Sequence, residues 1–234
     1  PEITRYDYKS DEVNVKVTLT DPADLPDNAE LSVTPVELSQ EAEDQITEEA
    51  IKEKKAIEKI HSYDIKFLVD GEEVQPGATV KVSVSLNDEK KIKDADVYHV
   101  DENDNVENMD GSVAKNGDVE FETTHFSTYV IVQKGKNDVK VTIQHLNAAD
   151  NEKIYSDDER TILVGGKIND YTKAKNWDVS KVEVNDHVVE NHETIEVAQD
   201  NSTIKVYYTP KHNGNFQGPT SFYDYTVKAG EGYD

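Results

Sequence analysis

The sequence contains no cysteine, a single tryptophan and a single methionine among 234 residues. Without cysteine no disulfide can form, so a small exported domain of this composition has to be stabilised by other means. No run of about 18 apolar residues occurs, so the sequence predicts no membrane-spanning helix. No signal peptide or sorting motif is recognisable. The chain starts at Pro1 and stops at Asp234 within a pattern, and we interpret it as an excised piece of a longer protein whose other parts carry export and anchoring signals.

Basic residues are scarce: 25 Lys and Arg stand against 49 Asp and Glu, which gives a net charge of −24. Lys and Arg are what neutralises phosphate backbones, so the charge argues against nucleic acid as a partner. It argues against anionic membrane surfaces for the same reason. Hydrophobic residues make up only 35% of the chain, which predicts slim cores beneath a heavily solvated surface.

Valine and isoleucine alternate with polar residues along most of the chain, as from Val13 to Leu19 and from Val80 to Leu86, and this period of two is typical of β-strands. The segment 39–61 differs. Ser39 can cap a helix, acidic residues follow it and lysines come late, an order that suits the helix dipole. Its apolar positions, near helical spacing, are Ala42, Ile46, Ala50, Ile57 and Ile60.

We therefore expect an all-β chain with one helical insertion. Residues 1–134 are predicted to form an Ig-like β-sandwich that carries the helix 39–61. Residues 137–210 are predicted to form a smaller β-grasp-like module, and residues 211–234 a linker with the truncated start of a further module. Two local features are also predicted: a hairpin around residues 101–105, and a bulge or bend near residues 123–125, where the alternation changes phase.

Four segments of the first module, 21–31, 63–67, 71–76 and 121–130, and the predicted helix between the first two, cover nearly all of residues 10–134. Their order resembles that of a β-sandwich repeat of surface proteins from Gram-positive gut bacteria, a domain that ends in a His-Phe-Ser strand. In the second module, the relevant segments are Val139–Ile143, the Gly165-Gly166-Lys167 turn and Ser202–Tyr208. This module resembles mucin-binding-type (MucBP-like) repeats, which are small β-grasp domains.

Both resemblances imply an extracellular, cell-surface or cell-wall location and a non-catalytic tandem array. The predicted function is a stalk, spacer or adhesion segment of a secreted or wall-anchored bacterial surface protein. No cofactor is expected, and no recognisable catalytic motif is present. Possible partners are host mucin or another glycan, bound through residues 137–210, or other domains of surface proteins.

One tripeptide suggests an alternative function. In some eukaryotic β-sandwiches and a nucleoporin domain, the chain cuts itself between Phe and Ser of a His-Phe-Ser sequence, which here is His125-Phe126-Ser127. The Ser127 hydroxyl would attack the Phe126 carbonyl, His125 would handle the proton, and the ester formed would hydrolyse. The other interpretation is a core Phe126 flanked by two residues that satisfy local hydrogen bonds.

Two further patterns could mark ion sites or cross-links. Asp101, Asn103 and Asn105, with Asp104 and Asp110, resemble part of a calcium loop, but an EF-hand also requires Gly and Glu at positions that are Val106 and Ser112 here. A solvated turn is the competing interpretation. An internal Lys–Asn or Lys–Asp isopeptide bond would need a buried lysine, and alternation places Lys16, Lys81, Lys140 and Lys205 on the polar faces of their strands, which disfavours such a bond.

Trp177, with Tyr155 and Tyr171, could form a platform on which a sugar ring stacks. Aromatic residues in a small β-domain more often belong to its core. The glycan-binding alternative therefore rests on the family resemblance rather than on this cluster.

Overall fold

The computed structural model describes residues 4–20, 25–87, 90–173 and 175–211. Within these ranges the chain is mostly antiparallel β-sheet with one helix, which confirms the predicted all-β class with a single helical segment. That helix has 14 residues, and nothing in the described ranges is a helix long and apolar enough to cross a membrane. The expected linker and truncated strand lie outside the described residues beyond Lys211.

The first part of the chain contains eleven strands and the helix, within the described residues. In chain order they are β1 (Arg5–Lys9), β2 (Val13–Leu19), β3 (Glu30–Pro35), α1 (Gln40–Glu53), β4 (Ile57–Val69), β5 (Glu72–Val74), β6 (Val80–Leu86), β7 (Ala95–Val100), β8 (Val106–Asn108), β9 (Ser112–Val113), β10 (Val119–Thr123) and β11 (Thr128–Lys134). The rest of the described chain adds β12 (Asp138–Asn147), β13 (Lys153–Leu163), β14 (Lys167–Ile168), β15 (Trp177–Val184), β16 (His187–Val188), β17 (Ile195–Glu196) and β18 (Ser202–Pro210).

Two sheets enclose the main core as a β-sandwich. One has the order β1-β2-β6-β10-β9, and the other has the order β3-β4-β11-β7-β8 with β5 added beside β4. Alternate residues of both sheets point into one shared apolar cluster, to which Val17 contributes from β2 and Phe67 from β4. The ring of Phe67 packs edge-on against Tyr6 and Phe126 at centroid distances of 5.0 and 5.3 Å. The alternation of apolar and polar residues in the sequence thus arises because each sheet turns one face toward a core that it shares with the other sheet.

The helix begins as predicted, but it ends earlier. The Ser39 side chain accepts a hydrogen bond from the Ala42 N–H, and α1 stops at Glu53 because Lys54 takes a left-handed conformation with φ of 58°. The predicted helical end at residue 61 is wrong. Residues from Ile57 onward form β4, which pairs with β11 in a register that sets Ile60 opposite Val132. The hydrogen-bonded ladder with a central strand outweighs the helical spacing of the apolar positions.

The helix lies over the outer face of the second sheet. Val130 and Val132 are fully buried although they alternate with the core-facing residues of β11. The Gln45 amide ties α1 to the β7–β8 hairpin: its Nε2 donates to the Asp104 carbonyl at 2.7 Å, and its Oε1 accepts from the Val106 N–H at 3.2 Å. The part of this sheet formed by β7 and β11 is therefore covered on both faces.

The two predicted local features are present. β7 pairs with β8 with Val100 opposite Val106, so the predicted hairpin around residues 101–105 is confirmed. β10 ends at Thr123 in the first sheet, and β11 starts at Thr128 in the second sheet. The change of phase marks this bend, where the chain crosses from one sheet to the other.

A third sheet has the order β13-β12-β18-β15-β16, and β14 pairs with β17. The described residues divide into two compact units that interleave along the chain. The first takes residues from 1–141, 160–168 and 195–202, and the second takes residues from 142–159, 169–194 and 203 onward. Within the first unit, the Ile57 N–H donates to the Ala198 carbonyl, and the Asp200 N–H donates to the Ile57 carbonyl, both at 2.8 Å. The division into modules at residues 134–137 and the β-grasp-like character of residues 137–210 stay predictions.

Candidate functional sites

The Phe126–Ser127 peptide lies in the bend between β10 and β11. The Phe126 side chain is buried in the sandwich core. The Gln75 amide forms two hydrogen bonds with the Phe126 backbone: the Phe126 N–H donates to Gln75 Oε1 at 2.7 Å, and Gln75 Nε2 donates to the Phe126 carbonyl at 3.1 Å. The Gln75 side chain thus replaces a neighbouring strand and holds this peptide in place.

Ser127 contacts a histidine, but not the one next to it in sequence. Its Oγ lies 2.5 Å from Nε2 of His99, a residue of β7 that is only 7% exposed. The other ring nitrogen of His99 lies 3.8 Å from a carboxylate oxygen of Glu107, whose side chain is 70% exposed. The Ser127 hydroxyl, the His99 imidazole and the Glu107 carboxylate therefore lie in a row in space.

Burial lowers the pKa of His99, and the neighbouring His125 lowers it further, whereas the charges of Glu107 and Asp101 oppose the shift. His99 is accordingly neutral at pH 7. With its hydrogen on Nδ1, facing Glu107, its Nε2 accepts a hydrogen bond from the Ser127 hydroxyl.

His125 was the expected proton acceptor. Its ring instead packs edge-on against the ring of His99, with the centroids 4.8 Å apart. Its backbone carbonyl accepts hydrogen bonds from the Thr123 and Tyr129 hydroxyls at 2.8 and 2.6 Å. The sequence does carry a signal for His99: this residue shares the parity of the core residues Ala95 and Val97, and a polar residue on the buried face of a strand requires a partner.

This geometry permits one reaction. His99 can accept the Ser127 proton while Oγ attacks the Phe126 carbonyl carbon, and the Gln75 amide already donates to the oxygen on which negative charge would develop. The residues from 124 to 127 have no left-handed φ. The backbone therefore supplies no such strain to weaken the peptide bond.

A similar arrangement occurs in the second unit around His145, which is fully buried. Its Nδ1 lies 2.8 Å from the Tyr208 hydroxyl, and its Nε2 lies 3.0 Å from the Asp158 carboxylate. Because the Tyr208 oxygen accepts from the Lys173 N–H at 2.9 Å, its own hydrogen is directed to Nδ1, and Nε2 carries the hydrogen that faces Asp158. Hydrogen bonding from His145, against some loss from burial and with help from Lys173, lowers the pKa of Asp158.

The third polar cluster surrounds Lys134, the last residue of β11. Its side chain is only 5% exposed, and its Nζ lies 2.5 Å from Glu53 of α1 and 2.7 Å from Asp96 of β7. The Tyr98 hydroxyl donates to the same Asp96 oxygen at 3.1 Å. Burial acts to lower the pKa of Lys134, but the two carboxylates outweigh it and raise the pKa. A polar cleft of about 520 Å³ borders this cluster.

The residues of the proposed calcium loop bind one another. The Asp101 carboxylate accepts hydrogen bonds from the backbone N–H groups of Asn103 and Asn105 at 2.8 and 2.9 Å, and from the Asn105 side chain at 3.1 Å. These bonds lower the pKa of Asp101. Among the described residues no group of three acidic or histidine side chains is placed to hold a metal ion. A calcium-binding role for this loop stays a prediction.

The three aromatic residues proposed as a sugar platform differ in exposure. Tyr171 is 2% exposed, and its hydroxyl donates to the His192 backbone carbonyl, so it cannot offer a ring face to a sugar. Tyr155 packs edge-on against His145 with ring centroids 5.9 Å apart. Trp177 begins β15 and is partly exposed. Stacking of a sugar on Trp177 and Tyr155 stays a prediction.

No protein-family model matches the chain, and no curated protein matches it.

Proposed function

We propose that this chain is a non-catalytic spacer segment of a secreted or wall-anchored bacterial surface protein, whose role is to hold a binding domain away from the cell. The resemblance of residues 10–134 to surface-protein repeats supports the location. The acidic composition, with a net charge of −24, supports a role in which the segment stays soluble and repels other chains.

The main support for the proposal is that buried polar side chains join separate elements of the fold. Lys134 joins β11 to α1 and β7, and His99 joins β7 to the bend before β11. His145 joins β12 to β13 and β18. Each group ties together separate elements, most of which are distant in sequence, as a chain without cysteine needs if it is to resist unfolding.

A glycan panel with the purified chain tests this proposal. A spacer should bind neither mucin nor any glycan on the panel, and a Trp177→Ala variant should behave as the unmodified chain does. Binding of mucin that the Trp177→Ala substitution abolishes would contradict the proposal and favour the glycan-binding alternative for residues 137–210.

A second candidate function is self-cleavage between Phe126 and Ser127, and the contact between Ser127 Oγ and His99 Nε2 favours it. In this reaction the Ser127 proton passes to His99, Oγ bonds to the Phe126 carbonyl carbon, and the Ser127 nitrogen leaves with that proton. The resulting ester is then hydrolysed by water, which yields a new carboxyl end at Phe126 and a new amino end at Ser127.

Three substitutions separate this reaction from incidental proteolysis. Ser127→Ala and His99→Ala should each abolish cleavage, because they remove the nucleophile and its proton acceptor. His125→Ala should leave cleavage intact, since His125 does not contact the Ser127 hydroxyl. Denaturing electrophoresis of the purified chain provides the readout, and an unmodified chain that stays in one piece through prolonged incubation would eliminate this candidate.

A further inference from the structure

One cleft of the first unit is basic, although the chain as a whole is strongly acidic. This lysine cleft has a volume of about 980 Å³, and three carboxylates line it together with six lysines: Lys59, Lys90, Lys91, Lys93, Lys134 and Lys136. A cleft of about 780 Å³ on the outer face of the first sheet has the opposite balance, with four carboxylates and two lysines. Because acids outnumber bases 49 to 25 in the sequence, the fold rather than the composition produces the local excess of positive charge.

Three of these lysines lie in the connection from β6 to β7, which crosses from the first sheet to the second. Ile92 anchors this segment, since its side chain is only 6% exposed and belongs to the sandwich core. Lys91 and Lys93 lie on either side of it and are exposed. The stem of Lys91 also packs on the turn between β9 and β10, because a Cβ atom at Gly117 would lie 2.9 Å from the Lys91 Cγ. The core thus determines where these ammonium groups emerge.

The other lysines of the cleft come from segments that are also fixed by the fold. Lys59 belongs to β4. Lys136 follows β11, and its backbone carbonyl accepts a hydrogen bond from the buried Ala56 N–H at 2.7 Å. The Lys134 N–H donates to the Asp94 carbonyl at 3.0 Å, which ties the end of β11 to the segment before β7. Separate parts of the chain therefore bring lysines to one cleft.

The carboxylates that line the lysine cleft are engaged with other groups. Asp94 lies 2.6 Å from Nζ of Lys55. The Asp200 carboxylate accepts hydrogen bonds from the backbone N–H groups of Lys140 and Asn201 at 2.8 and 3.1 Å. Within the described part of the chain, no ion pair or side-chain hydrogen bond engages residues 90, 91 and 93. Their positive charges repel one another, and a bound anion would remove that repulsion.

We propose that the lysine cleft binds a compact anion that carries two or more phosphate groups. A lysine ammonium is a compact charge with three donors, and it binds the oxygens of a tetrahedral phosphate from any direction. Planar carboxylates are instead matched best by the paired donors of arginine, and the described residues that line this cleft include no arginine. A phosphate ester also concentrates a charge of about −1.5 to −2 and three acceptor oxygens in one group, which suits several neighbouring ammonium groups.

The size of the cleft and the charge of the chain restrict the ligand further. Small-molecule sites occupy roughly 300–1,000 Å³, so a cleft of about 980 Å³ can hold a bisphosphorylated sugar or a short chain of linked phosphates. The surrounding acidic surface repels anions, but salt screens this repulsion beyond about 8 Å at physiological ionic strength. A nucleic acid or an anionic membrane would press many further negative charges against that surface. Both therefore remain disfavoured as partners.

This site does not depend on the spacer role proposed above. Its ligand is recognised by phosphate, so the absence of binding to phosphate-free glycans leaves the proposal unaffected. Conversely, a spacer segment that binds a phosphorylated compound in this cleft remains a spacer.

Isothermal titration of the full 234-residue chain in about 0.05 M salt, where screening is weak, tests the proposal. The probes are pyrophosphate, glucose 1,6-bisphosphate, inorganic phosphate and sulfate. Pyrophosphate or the bisphosphate should bind about tenfold more tightly than inorganic phosphate, because the second phosphate meets further ammonium groups. A chain that carries Lys90→Gln, Lys91→Gln and Lys93→Gln together should bind the tighter probe about thirtyfold more weakly, at roughly a factor of three for each exposed charge.

A matched control carries Lys9→Gln, Lys16→Gln and Lys81→Gln. These three exposed lysines border other clefts, so the control has the same net charge as the first variant but an intact lysine cleft. Its affinity should change by less than about twofold, because the removed charges do not contact the ligand. Urea denaturation should show that both variants fold as the unmodified chain does, since all the substituted side chains are exposed.

The source of the phosphate groups follows from the two tighter probes. Stronger binding of glucose 1,6-bisphosphate assigns the site to phosphorylated sugars, and stronger binding of pyrophosphate assigns it to linked phosphates. Absence of binding to both probes overturns the proposal. Equal weakening in the two triple variants also overturns it, because binding then reflects net charge rather than this cleft. Sulfate that binds as tightly as the better phosphate probe contradicts the requirement for two phosphate groups.

Discussion

Two buried histidines in different units of this protein have the same kinds of partner. His99 lies between the Ser127 hydroxyl and the Glu107 carboxylate, and His145 lies between the Tyr208 hydroxyl and the Asp158 carboxylate. The distances from the ring nitrogens to the hydroxyl oxygens are similar, at 2.5 Å for His99 and 2.8 Å for His145. The carboxylate distances differ: Glu107 lies 3.8 Å from its histidine and Asp158 lies 3.0 Å away.

The repetition teaches that a hydroxyl, an imidazole and a carboxylate in line are not by themselves a catalytic device. A buried imidazole in a β-strand has two ring nitrogens to satisfy, and a hydroxyl on one side with a carboxylate on the other is a direct solution. What distinguishes His99 is its neighbour, because Ser127 carries its hydroxyl next to a peptide carbonyl held by Gln75. The Tyr208 hydroxyl has its hydrogen bonds to His145 and to the Lys173 N–H.

The largest expected effect on stability comes from removing the imidazole ring of each of these two histidines. His145→Ala should lower the free energy of unfolding by about 3 kcal/mol, because it leaves a cavity and deprives both partners of a direct hydrogen bond. His99→Ala should cost about 2 kcal/mol, since Glu107 is too distant and too exposed to lose a direct hydrogen bond. Urea denaturation of the two variants measures both values. A larger loss for His99→Ala would show that Glu107 matters more than its distance implies.

A smaller effect separates the two carboxylates. Asp158→Asn should cost about 1 kcal/mol, because it removes the charge from a direct hydrogen bond whose acceptor is 29% exposed. Glu107→Gln should change the free energy of unfolding by less than about 0.5 kcal/mol, since its side chain is 70% exposed. Because the pKa of Asp158 is lowered, its contribution is present above the ordinary value of 3.8 and disappears as the pH falls below it. Equal losses for both variants at pH 7 would remove the distinction between the two sites.

The smallest effect is the pH dependence due to His99. Its pKa in the folded chain lies below the ordinary value of 6.5, so the unfolded chain takes up the proton first. The neutral His99 ring makes its full contribution to the free energy of unfolding above pH 6.5. This contribution is lost as the pH falls from there through the pKa of His99 in the folded chain. The titratable groups near the ring are His125, Glu107, Asp101 and Tyr129, and the charges of Glu107 and Asp101 moderate the loss.

Denaturation of His99→Gln and of the unmodified chain from about pH 7.5 down to pH 5 measures this effect. The variant should show a shallower decline in stability than the unmodified chain over that range. Parallel declines in both chains would mean that another group causes the pH dependence.

Much of the fold could be predicted from the sequence, because strand alternation and helix capping are local. The buried face of β2 and the cap at Ser39 follow from neighbours a few residues apart. The end of α1 could not be predicted in the same way. Ile57 and Ile60 fit a helical stripe as well as a strand, and pairing with β11, some 70 residues later, decided between the two.

The candidate sites show the same contrast between local and long-range features. The His-Phe-Ser tripeptide around Phe126 is recognisable in the sequence, and the structure places Phe126 in the core. The histidine that contacts Ser127 is 28 residues away on another strand. Lys134 and Glu53 are 81 residues apart, and their contact depends on α1 lying over the outer face of a sheet.

The sequence by itself determined the class of this protein, the start of its one helix in the described chain, the faces of its long strands and its strongly acidic character. These properties depend on composition and on spacings of two to four residues, which the chain expresses wherever it folds. Only the tertiary structure decided which polar side chains meet in the interior, at His99, Lys134 and His145. A buried polar group takes whichever partner the packing of distant strands brings to it, and no local pattern records that choice.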